Sequence, residues 1–360
     1  MIISRTPFRI SFFGGGTDYP GWYRLHGGSV LSATIDKYCY LTCRRLPPFF
    51  EHSIRLVYST IENCRTADEI RHPAARAVMK FVGIDRGVEI HHDGDLPARS
   101  GIASSSAFTV GLLNALYCLK GVMPDRHRLA MESIQIEQEV LREHVGSQDQ
   151  VAVTYGGLNH IRFLANGDID VRPMSLSHEA VTDLNSHLML FYTGIQRTAS
   201  EIASTFTEQI EQREPELRMM TAMVDESISI LTDGDLMRFG RLLHEAWSAK
   251  RGLSAAVSNP RVEAMYAAAR EAGALGGKLT GAGGGGFLLL FAPPDRHAAI
   301  RESLRDLLRV PFKFEFSGNQ IIFFTPEPDY ELAERDRAEH SIAPFRELGI
   351  TRPLSPRSKA

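Results

Sequence analysis

Read by the spacing of its apolar positions, the N-terminal third of the chain is strand before it is helix. Residues 1–13 form a strand-like run broken at Thr6-Pro7, and residues 27–46 alternate over a length that suits one long strand or a hairpin. Two shorter strands are predicted at 54–59 and 87–91, with a helix between them over 67–82. Residues 108–119 are apolar and proline-free, with one interior glycine, and predict a helix whose first turn holds the serines just ahead of it. The pattern is a mixed sheet whose helices enter late. A helix capped by Asp125 is expected to run to His144, a short helical run ends at Tyr155, and 157–164 with 168–173 predict a hairpin turning at Asn166-Gly167. Residues 175–186 are polar and unpatterned, and the domain boundary is placed there. The second half opens on a strand at 188–192, followed by helices at 198–213, 215–231, 235–250 and 261–272. After a glycine-rich stretch come a strand at 287–291, a helix to 308, and strands at 312–316 and 321–325. This order suggests an α+β, split βαβ, ferredoxin-like second domain. The expected organisation is a first domain over 1–185, a second over 186–326 and a charged, proline-punctuated tail over 327–360, with 331–339 as a surface helix.

Composition narrows the function classes. At 360 residues the chain is comfortable for two cored domains, and 43% hydrophobic with 23% charged residues is an ordinary globular balance. A net charge of -3, with basic residues scattered rather than striped, gives no reason to expect nucleic acid, so any anion site is local. Cys39, Cys43, Cys64 and Cys118 show neither CxxC nor metal spacing and read as reduced, buried thiols. The early apolar run is interrupted by Arg5 and Arg9, which does not suit a signal peptide, and no stretch is long enough to cross a bilayer; a cytoplasmic protein is expected.

Three stretches carry candidate chemistry. Pro97-Ala98-Arg99-Ser100-Gly101-Ile102-Ala103-Ser104-Ser105-Ser106-Ala107 places three hydroxyls at a helix start, where unpaired N–H groups and the helix dipole suit a polyphosphate. A simple serine cap explains one serine, not three. Gly14-Gly15-Gly16-Thr17-Asp18 lets a ligand approach the backbone closely and sets a carboxylate at the edge of the turn, though a ligand-free tight turn has the same residues. In the stretch 276–286, Lys278, Thr280, Gly281, Gly283, Gly284 and Gly285 belong to a bare backbone suited to close packing, against a ligand phosphate or the serine loop. It formally contains GxGxxG, but it opens a strand rather than a helix, so a dinucleotide site is excluded, and no P-loop motif occurs. Glu137 falls in the apolar stripe of Ala130, Ile134 and Leu141 and must find a partner: a bound cation, or an arginine such as Arg99. Asp149 alone reads as a helix cap.

The ordered trio, with Arg5-x-Pro7-x-Arg9-Ile10 leading into the first glycine loop, resembles the GHMP sugar and isoprenoid kinases from Ile2 to about Thr325. The resemblance implies a two-domain fold with an N-terminal mixed sheet like that of ribosomal protein S5 and a ferredoxin-like C-terminal domain. The GGGTDYP form, residues 27–36 and residues 108–116 look most like the heptose 7-phosphate kinases, which use ATP to phosphorylate the anomeric hydroxyl of D-glycero-D-manno-heptose 7-phosphate. By that resemblance Asp149 is the catalytic base, Arg9 its cationic partner, Ser106 and Glu137 the Mg²⁺ ligands, and residues 99–106 the ATP phosphate loop. Gly15, Gly16, Thr17 and Asp18 then face the sugar. Galactokinases carry Glu-His where this chain has Gly15-Gly16, which makes room for a larger sugar. Arg24, Lys37, Arg44 and Arg197 are candidates for the distal phosphate, with solvated surface charge as the alternative for each. Other readings of the same residues are a kinase for L-fucose or a galactose-type sugar, and a sugar- and ATP-binding sensor without chemistry. A monomer or homodimer, with no nucleic acid or membrane partner, is expected.

Overall fold

A computed structural model describes residues 1–196, 202–205, 210–328 and 330. The first sheet grows from strands β1 (Ile2–Phe13) and β2 (Gly28–Arg45), paired antiparallel along nearly their whole length, so 27–46 is one strand and not a hairpin. Pro7 sits where the β1–β2 register shifts, a place where a strand tolerates a residue without an N–H. β3 (Ile54–Val57), β4 (Ile61–Cys64) and β5 (Val88–Gly94) extend the sheet in the order β2-β5-β3-β4, with β3 and β5 parallel, so the sheet is mixed. The expected hairpin forms as β6 (Leu158–Phe163) and β7 (Ile169–Pro173), with β6 on β2.

Helices α1 (Pro20–His26), α2 (Pro73–Val82) and α3 (Ser104–Leu119) follow in chain order. α3 is buried on all sides, and its interior glycine is explained by the sheet beneath it: a Cβ on Gly111 would lie 2.8 Å from Thr6 Oγ1. α4 (Arg126–Gln135) starts at Asp125, whose carboxylate accepts from Arg128 N–H at 2.8 Å, as expected of a cap. It ends earlier than predicted, passing into a π-turn over Ile136–Val140 before Arg142 turns left-handed at φ 55°. α5 (Gln148–Tyr155) comes next. Residues 175–186, expected to be irregular, contain α6 (His178–Ser186) capped by Ser177, a polar surface helix whose one fully buried apolar residue, Leu184, gives no readable stripe.

The second sheet is antiparallel, ordered β11-β8-β10-β9 from β8 (Leu188–Tyr192), β9 (Gly276–Leu279), β10 (Phe287–Phe291) and β11 (Leu308–Val310). That is the ferredoxin-like order: β8 and β10 are the strands expected at 188–192 and 287–291, while the glycine-rich β9 and the three-residue β11 carried no strand pattern. The expected closing strands at 312–316 and 321–325 go elsewhere. β12 (Phe314–Glu315) pairs with β2 and β13 (Gln320–Phe324) with β1, returning the chain to the first sheet. Helices α7 (Glu214–Asp233), α8 (Leu236–Leu253), α9 (Pro260–Glu271) and α10 (His297–Ser303) complete the second half. Half of the helix predicted at 198–213, and all of the one at 331–339, lie outside the described residues. A continuous core joins both sheets through Phe12, Phe13, Phe239 and Phe291, packed edge-on or tilted with ring centroids 5.2–5.7 Å apart.

Candidate active site

A cleft of about 920 Å³ opens where the start of α3, the glycine turn between β9 and β10, and the loop after β1 converge. Three residues of the loop before α3, Arg99, Gly101 and Ala103, are left-handed at φ 57°, 78° and 63°, a conformation non-glycine residues hold only where the surroundings enforce it. No side chain caps α3; its first residues are the serines themselves. Ser104 Oγ accepts from Arg99 N–H at 3.1 Å, Ser105 is exposed, and Ser106 is buried. All three line the cleft with Arg99, Gly101 and Ala103. The capping explanation for the serines therefore fails, and the helix start is open to a ligand.

The glycine turn packs on this loop backbone to backbone. A Cβ on Gly281 would lie 2.6 Å from Gly101 Cα, one on Gly101 2.4 Å from Thr280 O, and one on Gly286 2.1 Å from Ser100 O. Of the two occupants the sequence allowed for the bare backbone, the serine loop is one the structure demonstrates. Gly281, Gly283 and Gly285 still line the cleft, while Gly284 turns inward and donates its N–H to Val257 O at 2.8 Å.

Arg9 is 1% exposed on β1, Asp149 stands in the first turn of α5, and Arg9 Nη2 donates to Asp149 Oδ1 at 2.6 Å. Arg9 Nη1 donates to Gly101 O at 2.8 Å, so one guanidinium ties the carboxylate to the loop before α3. Asp149 caps nothing; Ser147 is the N-cap residue and makes no side-chain cap bond either. Asp18, buried beside it, accepts from Gly16 N–H at 2.9 Å and Gln148 N–H at 3.3 Å. Burial pushes the Asp18 carboxyl up, the Gly16 N–H opposes this, and Asp149 adds repulsion. Gly146 makes this possible: a Cβ there would sit 1.9 Å from Asp18 Oδ2.

Glu137 is fully buried in the π-turn. Ser106 Oγ donates to its Oε2 at 2.9 Å and Gln150 Nε2 to the same oxygen at 2.5 Å, while Oε1 has no hydrogen-bond partner among the described residues. Burial pushes its carboxyl up to about 7, against the polar groups of Thr109, Gln150 and Ser106. The Arg99 salt bridge is not formed; Glu137 is left as a carboxylate with an orphaned oxygen at the cleft wall.

Several expected site residues are committed elsewhere. Thr17 Oγ1 donates to Gly14 O at 2.8 Å and Ser29 O at 2.9 Å, fully buried, so it shapes the turn instead of facing the cleft. Lys278 lies on β9 with Nζ on Phe12 O at 2.9 Å, and Thr280 Oγ1 lies against Phe287 O at 3.3 Å. Ser100 Oγ donates to Pro97 O at 2.5 Å, and Ile102 is buried with its carbonyl accepting Arg9 N–H at 3.1 Å. Of the distal-phosphate candidates, Arg24 is exposed on α1, Lys37 pairs with Asp36 at 2.9 Å and Arg44 donates to Glu89 at 2.6 Å. None of these three lines the cleft, and Arg197 lies outside the described residues.

Sequence reading also missed cleft residues. Lys250, at the end of α8, lines the wall with its Nζ on Gly281 O. At the other end, His72 stacks on Phe108 with centroids 4.6 Å apart and His92 meets the same ring edge-on at 5.2 Å, burial lowering both imidazoles. No motif marks these positions; they meet only because β5, α2 and α3 do.

A helix start open to the cleft, a glycine turn packed on the loop before it, and a buried arginine paired with a cleft-facing aspartate come together from both halves of the chain. Residues 68–157 match the GHMP kinases N terminal domain and residues 223–310 the GHMP kinases C terminal domain. Among known proteins, the chain is 29% identical over 316 residues to a D-glycero-alpha-D-manno-heptose 7-phosphate kinase of Campylobacter jejuni, covering 84% of this chain and 93% of that one. It is 25% identical to a galactokinase of Pyrococcus furiosus, over 89% of this chain and 97% of that one. The fold matches the crystal structure of a D-glycero-D-manno-heptose 1-phosphate kinase from Bacteroides thetaiotaomicron with a TM-score of 0.74 at 22% identity, covering 90% of this chain and 100% of that one. The chain belongs to the GHMP kinase family and is an ATP-dependent phosphotransferase.

Proposed function

We propose that this chain is a sugar 1-kinase that phosphorylates the anomeric hydroxyl of D-glycero-D-manno-heptose 7-phosphate. The observation that carries the reading is the Arg9–Asp149 pair, 2.6 Å apart at the cleft, with Asp18 behind it and the α3 start beside it. The cleft-lining residues of that loop, Arg99, Gly101, Ala103, Ser104, Ser105 and Ser106, and the dipole of α3 hold the β- and γ-phosphates. Asp149 takes the proton of the anomeric hydroxyl, which is more acidic than an ordinary alcohol, and Arg9 keeps that carboxylate charged and aimed. Asp18 orients sugar hydroxyls from below. Phosphoryl transfer needs alignment and charge neutralisation more than covalent help from the protein, and these groups supply both.

Mg²⁺ fits the donor set. One carboxylate with an orphaned oxygen and one hydroxyl, Glu137 and Ser106, suit an ion that takes its remaining ligands from water and phosphate. Bound there it supplies charge neutralisation for the polyphosphate. The heptose assignment draws on the Gly15–Gly16 wall, which leaves room beside Asp18, and on the likeness to the Campylobacter jejuni relative. A cytoplasmic site of action accords with a nucleotide-dependent sugar kinase, and among the described residues no helix is long and apolar enough to cross a membrane.

Release of ADP, measured against a panel of heptose 7-phosphate, free heptose, L-fucose and galactose in both anomeric forms, tests the reading. Turnover is expected to be highest by at least tenfold on the 7-phosphate. Equal or faster turnover of L-fucose or galactose would transfer the assignment to that sugar.

A further inference from the structure

We propose that Lys250 is a second catalytic cation, its ammonium donating to an oxygen of the phosphoryl group in transit between nucleotide and acceptor. The inference rests on the phosphotransferase reading and adds a residue from the second half of the chain that no motif marks. Lys250 is 6% exposed yet lines the cleft. Its Nζ donates to Gly281 O, and among the described residues this is the one acceptor it has and no carboxylate forms an ion pair with it. An ammonium has three N–H donors, so two are left for the cleft. A neutral donor would suffice to tie α8 to the glycine turn, and a buried charge left short of partners is costly. An incoming anionic oxygen removes that cost.

The position selects which oxygen. Gly281 presses on Gly101, Gly101 O holds Arg9, and Arg9 holds Asp149, so Lys250 is anchored on the seam between the phosphate loop and the base. The charges around it are Arg9 from β1, Asp18 from the loop after β1, Asp149 from α5 and Lys278 from β9, with Arg251 next to it on α8. Burial lowers the Lys250 ammonium to about 8, Arg9 adds repulsion, and the two aspartates oppose both. In the transfer, the bond from the γ-phosphorus to the β–γ bridging oxygen breaks and a bond to the acceptor oxygen forms. The acceptor proton goes to Asp149, ADP leaves, and Lys250 stays protonated throughout, its role being to meet the equatorial charge.

Lys250→Gln retains a donor for Gly281 O and removes the charge. Its kcat is expected to fall about 100-fold, with KM for ATP and for the sugar within about threefold of the parent. Lys250→Arg is expected to recover part of the rate and to move the basic limb of the kcat–pH profile to higher pH, which a purely structural link would not do. A kcat for Lys250→Gln within threefold of the parent overturns the proposal. So does a loss confined to KM for the phosphorylated sugar, with free sugar unaffected, because that outcome makes Lys250 an anchor for the distal phosphate. Should Lys250→Gln fold poorly, judged by its Tm, Lys250→Met carries the same test, and a kcat within threefold of the parent overturns the proposal. Absence of ADP from the parent with every sugar would instead sink the kinase reading, a distinguishable result.

Discussion

Arg9 and Asp149, 140 positions apart, meet through Nη2 and Oδ1 at 2.6 Å, the arginine nearly sealed from solvent and the aspartate facing the cleft. The same guanidinium holds Gly101 O at 2.8 Å, so the Asp149 carboxylate and the loop before α3 share one cation. Replacing the base separates chemistry from binding. Asp149→Asn is expected to lower kcat by at least about 10³-fold, in the upper part of the usual worth of a positioned base because alignment by Arg9 is also weakened. ATP affinity by titration should stay within about threefold. A variant with near-parental turnover removes Asp149 from the role.

Arg9→Met acts on stability and rate together. It deletes both hydrogen bonds and leaves Asp149 without its cation, at a cost of roughly 2 kcal/mol or more in denaturant unfolding. The loss should exceed that of Asp149→Asn, whose amide oxygen can still accept from Arg9 and which leaves the Gly101 O bond in place.

Glu137 makes the ligand-free protein pH-sensitive. Its carboxyl titrates at about 7 in the fold against an ordinary 4.5 unfolded, because burial disfavours the charge. Between those values the folded state binds the extra proton, so this group's stabilisation is fully present below about 4.5 and is lost as pH rises to about 7. The shift corresponds to roughly 3 kcal/mol. Glu137→Gln should therefore flatten the dependence of Tm on pH between 5 and 8 and leave the variant the more stable at pH 8. Its activity should nonetheless be nearly abolished at every Mg²⁺ concentration. Thermal scans with and without Mg²⁺ and ATP check both parts.

Gly281→Ala tests the clasp. At φ 67°, with Gly101 Cα 2.6 Å from the new methyl and neither backbone able to give freely, the two loops must part. KM for ATP is expected to rise at least tenfold, with a stability loss of about 1–3 kcal/mol.

Gly146→Ala tests the acceptor side separately. Its methyl would meet Asp18 Oδ2 at 1.9 Å and push that carboxylate off the N–H groups of Gly16 and Gln148. KM for the sugar should rise at least tenfold while KM for ATP barely changes. A change in the ATP constant alone would mean that Asp18 does not face the sugar.

Apart from the family resemblance, what the residue order by itself determined was local. The 166–167 turn, the Asp125 cap and the serine run at a helix start were legible because each depends on backbone preferences within a few residues. So was the exclusion of a dinucleotide fingerprint, since Gly286 leads into β10. Tertiary structure decided everything that depends on which surfaces meet. Spacing left Glu137 between a cation and Arg99, and only the π-turn against α3 and α5 gave it Ser106 and Gln150 with one oxygen to spare. Thr17 was expected to face the sugar and Lys278 to belong to the glycine-rich stretch, until backbone carbonyls 12 and 266 positions away claimed their side chains. Lys250 and Gly146 had no local signature at all, because a lysine at the end of an amphipathic helix and a glycine in a loop are common in any sequence. Likewise β12 and β13 read as the end of a second domain, but hydrogen-bonding edges open on β1 and β2 drew them back to the first sheet.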